Sequence, residues 1–336
     1  MYFRKVTGVA LWLMALAGSS QAQTPDTAHL RFAKQFGISY LPMTVMEELK
    51  LVEKHAQAQG LGVVKVDWLA LSSGSPINDA LISGSIDFAA GGVGPLVTIW
   101  SKTRGALNVK GVAAINSMPL YLNTTNANVK TIKDFTDDDR IALPAIKVSI
   151  QAVTLQMAAE KAFGAGRHDA LDKLTVSMAH PDGTSALLSA KSEISAHFTS
   201  APFMYQQLKD ARVHKVLSSY DVLGGPGTFN VIWCRQDFVD NNPKLYAAVF
   251  AALEEAMTVI KARPQEMAAL WVKAEKSKLD PAFAESIIKD PENTWTTVPE
   301  KIMVYAQFMA RVGSIKTAPE TWRDLFFPAV HGKPGS

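Results

Sequence analysis

The alternation of short strands with amphipathic helices is the feature that most restricts the fold of this chain. The segments HLRFAKQF and VVKVDWLAL are rich in β-branched and aromatic residues, which predicts two strands. Between them, MTVMEELKLVEKHAQAQG places Val45, Leu49 and Val52 at helical spacing and ends at Gly60. A strand, a helix and a second strand in this order predict a mostly parallel sheet with crossover helices, and hence an α/β fold.

Part of this pattern occurs a second time later in the chain. The stretch ALISGSIDFAAGGVGPL begins at Ala80, and ALLSAKSEISAHFTSAPF begins at Ala186. Each stretch contains, in order, a helix, a turn, an acid, a strand, a loop of small residues and a proline before another helix. Chance similarity is the alternative for so short a match. The shared order of elements favours two similar lobes that present equivalent loops.

The remaining segments divide between these two lobes. Strands are predicted at LYLNTT, RIALPA, LTVSMAH and HKVLSS, which assigns residues 119–221 to lobe 2. The segment LGGPGTFNVIWCRQDF then returns to the first half, and the chain is mostly helical from Pro243 onward, with prolines at the predicted helix starts. Lobe 1 is therefore expected to comprise residues 28–118 and 222–336, with a ligand cleft between the lobes.

The amino terminus has the layout of a secretory signal peptide. Arg4 and Lys5 precede an apolar run, and Ser20 and Ala22 follow in a small-x-small arrangement. We expect residues 1–22 to be cleaved after Ala22 and the protein to be periplasmic. A buried N-terminal helix is the alternative. About 310 residues remain after cleavage, enough for two domains of ordinary size.

Charge and cysteine content exclude several functional classes. Cleavage removes two basic residues and no acid, so the formal net charge falls from +3 to about +1. This balance argues against nucleic acid or a membrane surface as an electrostatic partner. The single cysteine, Cys234, excludes an internal disulfide and a cysteine-based zinc cluster. We interpret it as a small buried hydrophobic residue.

Known catalytic motifs do not assemble. In the glycine-rich stretch GSIDFAAGGVGPLVTIW, Gly94 is followed by Pro95, where a phosphate-binding loop needs a lysine and a hydroxyl. The spacing of its glycines is also wrong for a dinucleotide fingerprint. The histidines do not occur at the spacing of metal ligands. His180 and His197 could each line a cleft or have a structural role. We expect no catalytic residue, no cofactor and no metal.

Seven predicted loops favour a binding cleft instead. In open α/β sheets, ligands bind beyond the carboxyl ends of the strands, where helix N-termini present free N–H groups. Several loops there are rich in small, hydroxyl and aromatic residues, although each one could be an ordinary turn. They are residues 37–40, 72–75, 91–95, 116–117, 147–151, 199–201 and 228–230. Such loops can hold an anionic head group without net charge.

The chain resembles periplasmic substrate-binding proteins of ABC importers, in the nitrate/sulfonate/taurine group with the NMT1-like fold. The resemblance covers nearly the whole mature chain. It rests on RFAKQFGISYLPMTVMEELKL, VDWLALSSGSPINDALISGSIDFAAGGVGPL, RIALPAIKVSIQAVTLQMAAEKAFG, ISAHFTSAPF and FNVIWCRQDFVDNNPKL. It implies a two-lobed, type II periplasmic-binding-protein fold, with hinge closure on a small anionic ligand and delivery to membrane permease subunits. The protein is expected to act as a monomer.

The resemblance also implies a set of ligand contacts. They fall on Phe36, Tyr40, Ser73, Gly74, Ser75, Gly92, Gly94, Pro95, Asn116, Ser149, Gln151, Ser200, Phe203 and Asn230. Two loops differ from the sulfonate binders, which often carry a Lys-Gly-Ser-like turn where this chain has AIKVSIQ, and a polar residue where it has Gly92-Val93-Gly94. A carbon-rich organic acid is therefore as good a candidate for the ligand as taurine. Nitrate and a pyrimidine are further candidates.

Two other functional classes remain as alternatives. Enzymes with the NMT1-like fold include desulfinases with a nucleophilic cysteine and thiamine-pyrimidine synthases. Cys234 lies within a predicted strand rather than at a helix N-terminus that would lower the pKa of its thiol. A sensory module would need an attached signalling or DNA-binding domain, which the sequence does not show.

Overall fold

The computed structural model describes residues 1–2, 28–189 and 191–336. The predicted signal peptide lies outside the described residues, apart from its first two positions. Ten strands occur in the described part of the chain. In chain order, β1 to β10 are Ala28–Lys34, Val64–Ala70, Phe88–Gly92, Lys110–Ala114, Tyr121–Thr124, Ile141–Leu143, Thr175–Ser177, Ala196–Thr199, His214–Ser218 and Asn230–Cys234.

The strands form two five-stranded sheets with the same arrangement. The first has the order β2-β1-β3-β10-β4 and the second has the order β7-β6-β8-β5-β9. The fourth strand of each, β10 or β5, is antiparallel to both neighbours, and the other four strands run in one direction. The prediction of an α/β fold with mostly parallel sheets is confirmed. We call the halves built on these sheets lobe 1 and lobe 2.

The two similar sequence stretches occupy corresponding places in these sheets. Strands β3 and β8 both hold the third position, and each follows a short helix and precedes another. In chain order, α1 to α13 are Leu41–Glu48, Leu51–Ala58, Gly74–Ile82, Val93–Thr103, Ile150–Phe163, His180–Leu188, Phe203–Gln207, Ser219–Leu223, Gln236–Asn241, Pro243–Ala262, Pro264–Ala274, Pro281–Ile288 and Ile302–Arg311. The predicted repeat therefore reflects a shared strand order.

The first predicted helix is interrupted. Helix α1 ends at Glu48 and α2 begins at Leu51, because Lys50 adopts a left-handed conformation with φ 51°. Leu49, which the spacing assigns to one continuous helix with Val45 and Val52, lies at the break and is 37 % exposed. The break lets α1 and α2 each direct their own apolar residues into the core. The expectation of one helix was wrong here, since the turn at Lys50 carries no glycine or proline signal.

The prolines of the carboxyl-terminal half mark three helix starts, as predicted, but not a fourth. Pro243, Pro264 and Pro281 each occupy the first position of α10, α11 and α12. Helix α13 begins three residues after Pro299, at Ile302. The chain terminus explains the delay, because Ser336 accepts a hydrogen bond from the Ile302 N–H at 2.7 Å and donates its own N–H to the Pro299 carbonyl.

Aromatic stacking holds the centre of lobe 1 together. The ring of Phe32 on β1 stacks on Trp68 at 4.4 Å between centroids and on Phe88 at 4.8 Å. Helix α10 packs on α2 and α1, while α13 touches both α4 of lobe 1 and α5 of lobe 2. Within the described residues, none of the helices has the length and apolar character needed to cross a membrane.

Candidate ligand-binding cleft

The chain crosses between the two sheets at two places that run side by side. After β4 it passes through Ser117, whose hydroxyl donates to the Gly227 carbonyl of the return crossing at 2.8 Å. Ser117 and Thr228 also form an isolated antiparallel bridge, and a third segment joins when Thr294 exchanges backbone hydrogen bonds with Ser117. Adjacent crossings of this kind allow two lobes to rotate about one axis.

The glycine-rich loop of lobe 1 lies directly against lobe 2. A Cβ atom on Gly94 would be 2.7 Å from the Val148 carbonyl oxygen, and one on Gly92 would be 2.6 Å from the Ile150 side chain. Only glycine permits so close an approach of two backbones. The starts of α4 and α5 therefore meet, and the cleft is closed at this point.

A second contact closes the cleft from the neighbouring loop. Gly37, with φ +119°, would place a Cβ 2.8 Å from the Ala201 carbonyl oxygen and 3.3 Å from the Phe203 ring. Because β1 leads into Gly37 and β8 leads into Ala201, the loops that follow these two strands touch each other across the lobe junction.

Some of the predicted contacts pack within one lobe. A Cβ on Gly74 would be 2.4 Å from the Pro95 ring, and Asn78 donates its amide to the Pro95 carbonyl at 3.0 Å. Gly74 and Pro95 therefore hold the starts of α3 and α4 together.

The side chains of two predicted polar contacts form hydrogen bonds to the backbone of the protein itself. Asn116 donates its amide to the Ser39 carbonyl at 2.6 Å and accepts from the Asn230 N–H at 3.1 Å. The Ser149 hydroxyl caps α5 by accepting the Ala152 N–H at 3.2 Å. Asn116 joins loops that are distant in sequence, and Ser149 orders the helix start.

Three buried polar side chains at the lobe junction lack a hydrogen-bond partner among the described residues. They are the hydroxyls of Ser39 and Ser200 and both amide atoms of Asn230. Ser39 and Asn230 are fully buried, and Ser200 is 1 % exposed. Each unsatisfied group costs about 1–3 kcal/mol unless something pairs with it. Ser39 and Asn230 are joined through Asn116, while Ser200 precedes the Ala201 carbonyl that meets Gly37.

Two further predicted contacts, Gln151 and Phe203, lie against His180 in lobe 2. Gln151 approaches His180 with its amide nitrogen 3.3 Å from Nε2, and the Phe203 ring stacks on the imidazole at 5.8 Å. Burial lowers the pKa of His180 to about 3, so its imidazole is neutral at neutral pH. Burial, together with the nearby His180, also holds the pKa of His197 well below its ordinary value.

An open cavity of about 500 Å³ adjoins this junction. Lobe 1 contributes Ser73 and Ser75, both predicted contacts, and lobe 2 contributes Val148 and Met178. Asp182, in the first turn of α6, also lines it. The cavity is large enough for the carbon part of a small organic molecule.

The remaining predicted residues flank the junction. Phe36 is half-buried and Tyr40 is buried at the start of α1, where burial raises the pKa of its hydroxyl. Ser39 was missed as an individual contact, although its loop was singled out. The sequence alone does not assign His180 to this junction, because its place at the start of α6 depends on the fold of lobe 2. No group of three or more metal-ligating side chains occurs in the described ranges.

Comparison with known proteins identifies the family and the fold. The sequence pattern of the NMT1-like family matches residues 23–274, which is more than half of the chain. A search of curated protein sequences finds no match.

Solved structures share the fold at low sequence identity. The alkanesulfonate-binding protein SsuA from Xanthomonas axonopodis pv. citri, bound to MOPS, is 16% identical with a TM-score of 0.68, over 86% of this chain and 94% of its own. SsuA from Escherichia coli is 18% identical with a TM-score of 0.64, over 89% and 92%. The nitrate-binding protein NrtA from Synechocystis PCC 6803 is 16% identical with a TM-score of 0.70, over 90% and 86%. The chain therefore belongs to the NMT1-like family and has the periplasmic-binding-protein fold.

Proposed function

We propose that this protein is the solute-binding component of an ABC importer, which encloses a small organic anion between its lobes and delivers it to membrane permease subunits. The side chains of Ser39, Ser200 and Asn230, which have no hydrogen-bond partner within the described residues, carry this proposal. Buried polar groups in proteins are normally paired. A ligand with several acceptor or donor atoms would satisfy all three when the cleft closes.

The chemistry of the junction favours an anion that is recognised by neutral groups. Helices α4 and α5 begin at the closed contact, and their N-termini carry partial positive charge. Hydroxyl and amide side chains supply further donors. The proteins of similar fold are described as binding sulfonates and nitrate. We therefore propose a sulfonate, a taurine-like compound or a carboxylate as ligand class, with nitrate or a pyrimidine as less favoured candidates.

The proposal includes the domain limits and the location. Lobe 1 comprises residues 28–118 and 222–336, and lobe 2 comprises residues 119–221, with rotation about the crossings near Ser117 and Thr228. Export through the signal peptide at residues 1–22 would place the protein in the periplasm as a monomer.

A desulfinase-type or thiamine-pyrimidine enzyme is the second candidate, and the position of Cys234 disfavours a cysteine nucleophile. The thiol is fully buried in β10, and burial raises its pKa well above the ordinary value. A reactive cysteine needs an exposed thiolate in an electropositive setting. Binding without turnover is therefore the better account of this site.

A thermal-shift panel tests the proposed function. The mature chain, unfolded and refolded to remove bound molecules, is heated with ethanesulfonate, taurine, short carboxylates, nitrate and pyrimidines. A true ligand stabilises the folded state by about 2.7 kcal/mol at a hundred times its Kd. A shift with one anionic class supports the proposal. No shift with any compound, together with normal growth after loss of the transporter, would contradict it.

A further inference from the structure

Five polar side chains form a continuous row inside lobe 2. Asn123, Gln207, His197, His180 and Gln151 are all buried, and each lies within hydrogen-bonding distance of the next. An amide group can adopt two orientations that exchange its oxygen and nitrogen, and a neutral imidazole can carry its proton on either nitrogen. One fixed acceptor at the end of such a row is enough to decide every orientation along it.

The carbonyl of Met204 is that fixed acceptor. The Asn123 amide nitrogen lies 3.0 Å from the Met204 oxygen, which can only accept. The same nitrogen lies 3.0 Å from the Gln207 amide oxygen, which therefore also accepts. The Gln207 nitrogen then faces Thr184 at 3.0 Å and His197 Nδ1 at 2.7 Å, and it donates to both.

The orientation of Gln207 decides the protonation of both histidines. Because His197 Nδ1 accepts, a neutral imidazole carries its proton on Nε2, and this atom faces His180 Nδ1 at 3.5 Å. The Thr199 hydroxyl approaches the same His180 nitrogen at 2.9 Å. His180 Nδ1 therefore accepts, and its proton lies on Nε2. The lowered pKa values of both histidines agree with neutral rings.

The last member of the row is Gln151, at the start of α5. Its amide nitrogen lies 3.3 Å from His180 Nε2. Because an amide nitrogen cannot accept from a protonated Nε2, the amide oxygen must take that position instead. The two ends of an amide exchange by a half-turn. In the paired arrangement, the NH2 group of Gln151 is turned away from His180 and is free to donate.

We propose that Asn123, Gln207 and His197 are positioning residues that hold His180 as the Nε2–H tautomer, so that Gln151 presents its NH2 group to the ligand. The ligand half of this inference rests on the proposed function. The row gives lobe 2 a hydrogen-bond donor at this place, which would bind the acceptor oxygens of a sulfonate or carboxylate group.

Long-range 1H–15N correlation spectra of the 15N-labelled mature protein near neutral pH test the row directly. We expect His180 and His197 to show a protonated Nε2 and an unprotonated Nδ1. A His180 ring protonated at Nδ1, or at both nitrogens, would overturn the proposal. This readout needs no ligand, so it stands if the proposed function fails.

Substitution tests the positioning role. Gln207→Met removes the donor to His197, and we expect both tautomers of His180 and about tenfold weaker binding of ethanesulfonate. Gln206→Met, at a half-buried neighbour, should change neither. A Gln207→Met protein that keeps a single Nε2–H tautomer would overturn the positioning role, and if this variant does not fold, the wild-type spectra decide. Nε2–H tautomers in a protein that does not bind ethanesulfonate would contradict the sulfonate class only.

Discussion

Gly94 of lobe 1 meets the Val148 carbonyl of lobe 2 so closely that a Cβ atom on the glycine would lie 2.7 Å from the oxygen. The glycine-rich loop is thus a contact surface between the two lobes. It has the small residues that a close approach needs, and the start of lobe 2 helix α5 lies against it. Its proposed role in ligand binding is to let the cleft close.

Gly94→Ala should therefore hinder closure more than folding. The added methyl group cannot fit beside the Val148 carbonyl, so the lobes stay apart and ligand affinity falls about tenfold or more, a loss of about 1.4 kcal/mol. Small-angle scattering with saturating ligand should show a larger radius of gyration than for wild type. Gly332→Ala, at a site with open space around it, is the matched control. Unchanged affinity in Gly94→Ala would show that this contact is not needed for binding.

Asn230→Leu should have opposite effects on stability and binding. Both amide atoms of Asn230 are buried with no partner among residues 28–189 and 191–336, so an apolar side chain of similar size should raise the unfolding free energy of the ligand-free protein by about 1 kcal/mol. It should also abolish the thermal shift that ligand produces. Asn128→Leu, at an exposed turn, should leave ligand binding unchanged. A less stable variant that still binds would argue against Asn230 as a ligand contact.

The buried histidines predict a loss of stability in mild acid. Burial lowers the pKa of His180 to about 3 and that of His197 also well below the ordinary value. In the unfolded chain both imidazoles titrate at about pH 6.5. Their contribution is complete above that pH and declines as the pH falls, because only the unfolded state takes up the protons, at up to about 1.4 kcal/mol per pH unit for each ring.

Urea unfolding between about pH 7 and about pH 5 measures this slope. His197→Gln should remove part of it. A free energy of unfolding that does not change over this range would contradict neutral burial of the pair.

Cys234 should be unreactive and dispensable. Because its thiol is buried and its pKa is raised, a thiol reagent should label it only after the chain unfolds. Cys234→Ala should keep ligand affinity within about twofold, since the side chain contacts the core rather than the cleft. Turnover of a sulfinate that is lost in Cys234→Ala would favour the enzyme alternative.

The sequence predicts the fold better than it predicts the site. Strand and helix patterns are local, so the α/β class and the corresponding positions of β3 and β8 could be predicted before the structure. The break at Lys50 could not, because no turn residue marks it. The site could not be predicted in the same way, because the hydrogen-bond partners of its polar atoms are distant in sequence. The Asn116 amide donates to the Ser39 carbonyl, whereas the hydroxyls of Ser39 and Ser200 have no partner in the part of the chain that the structure describes.

Native mass spectrometry of the mature protein, purified gently from its producing cells, tests the central claim most directly. The account predicts one small anionic molecule bound per wild-type chain, and its loss from Asn230→Leu and Ser200→Ala. Wild-type protein that carries no ligand and gains none from any sulfonate or carboxylate offered to it would contradict an anion-binding cleft. The same bound mass in wild type and both variants would place the ligand elsewhere.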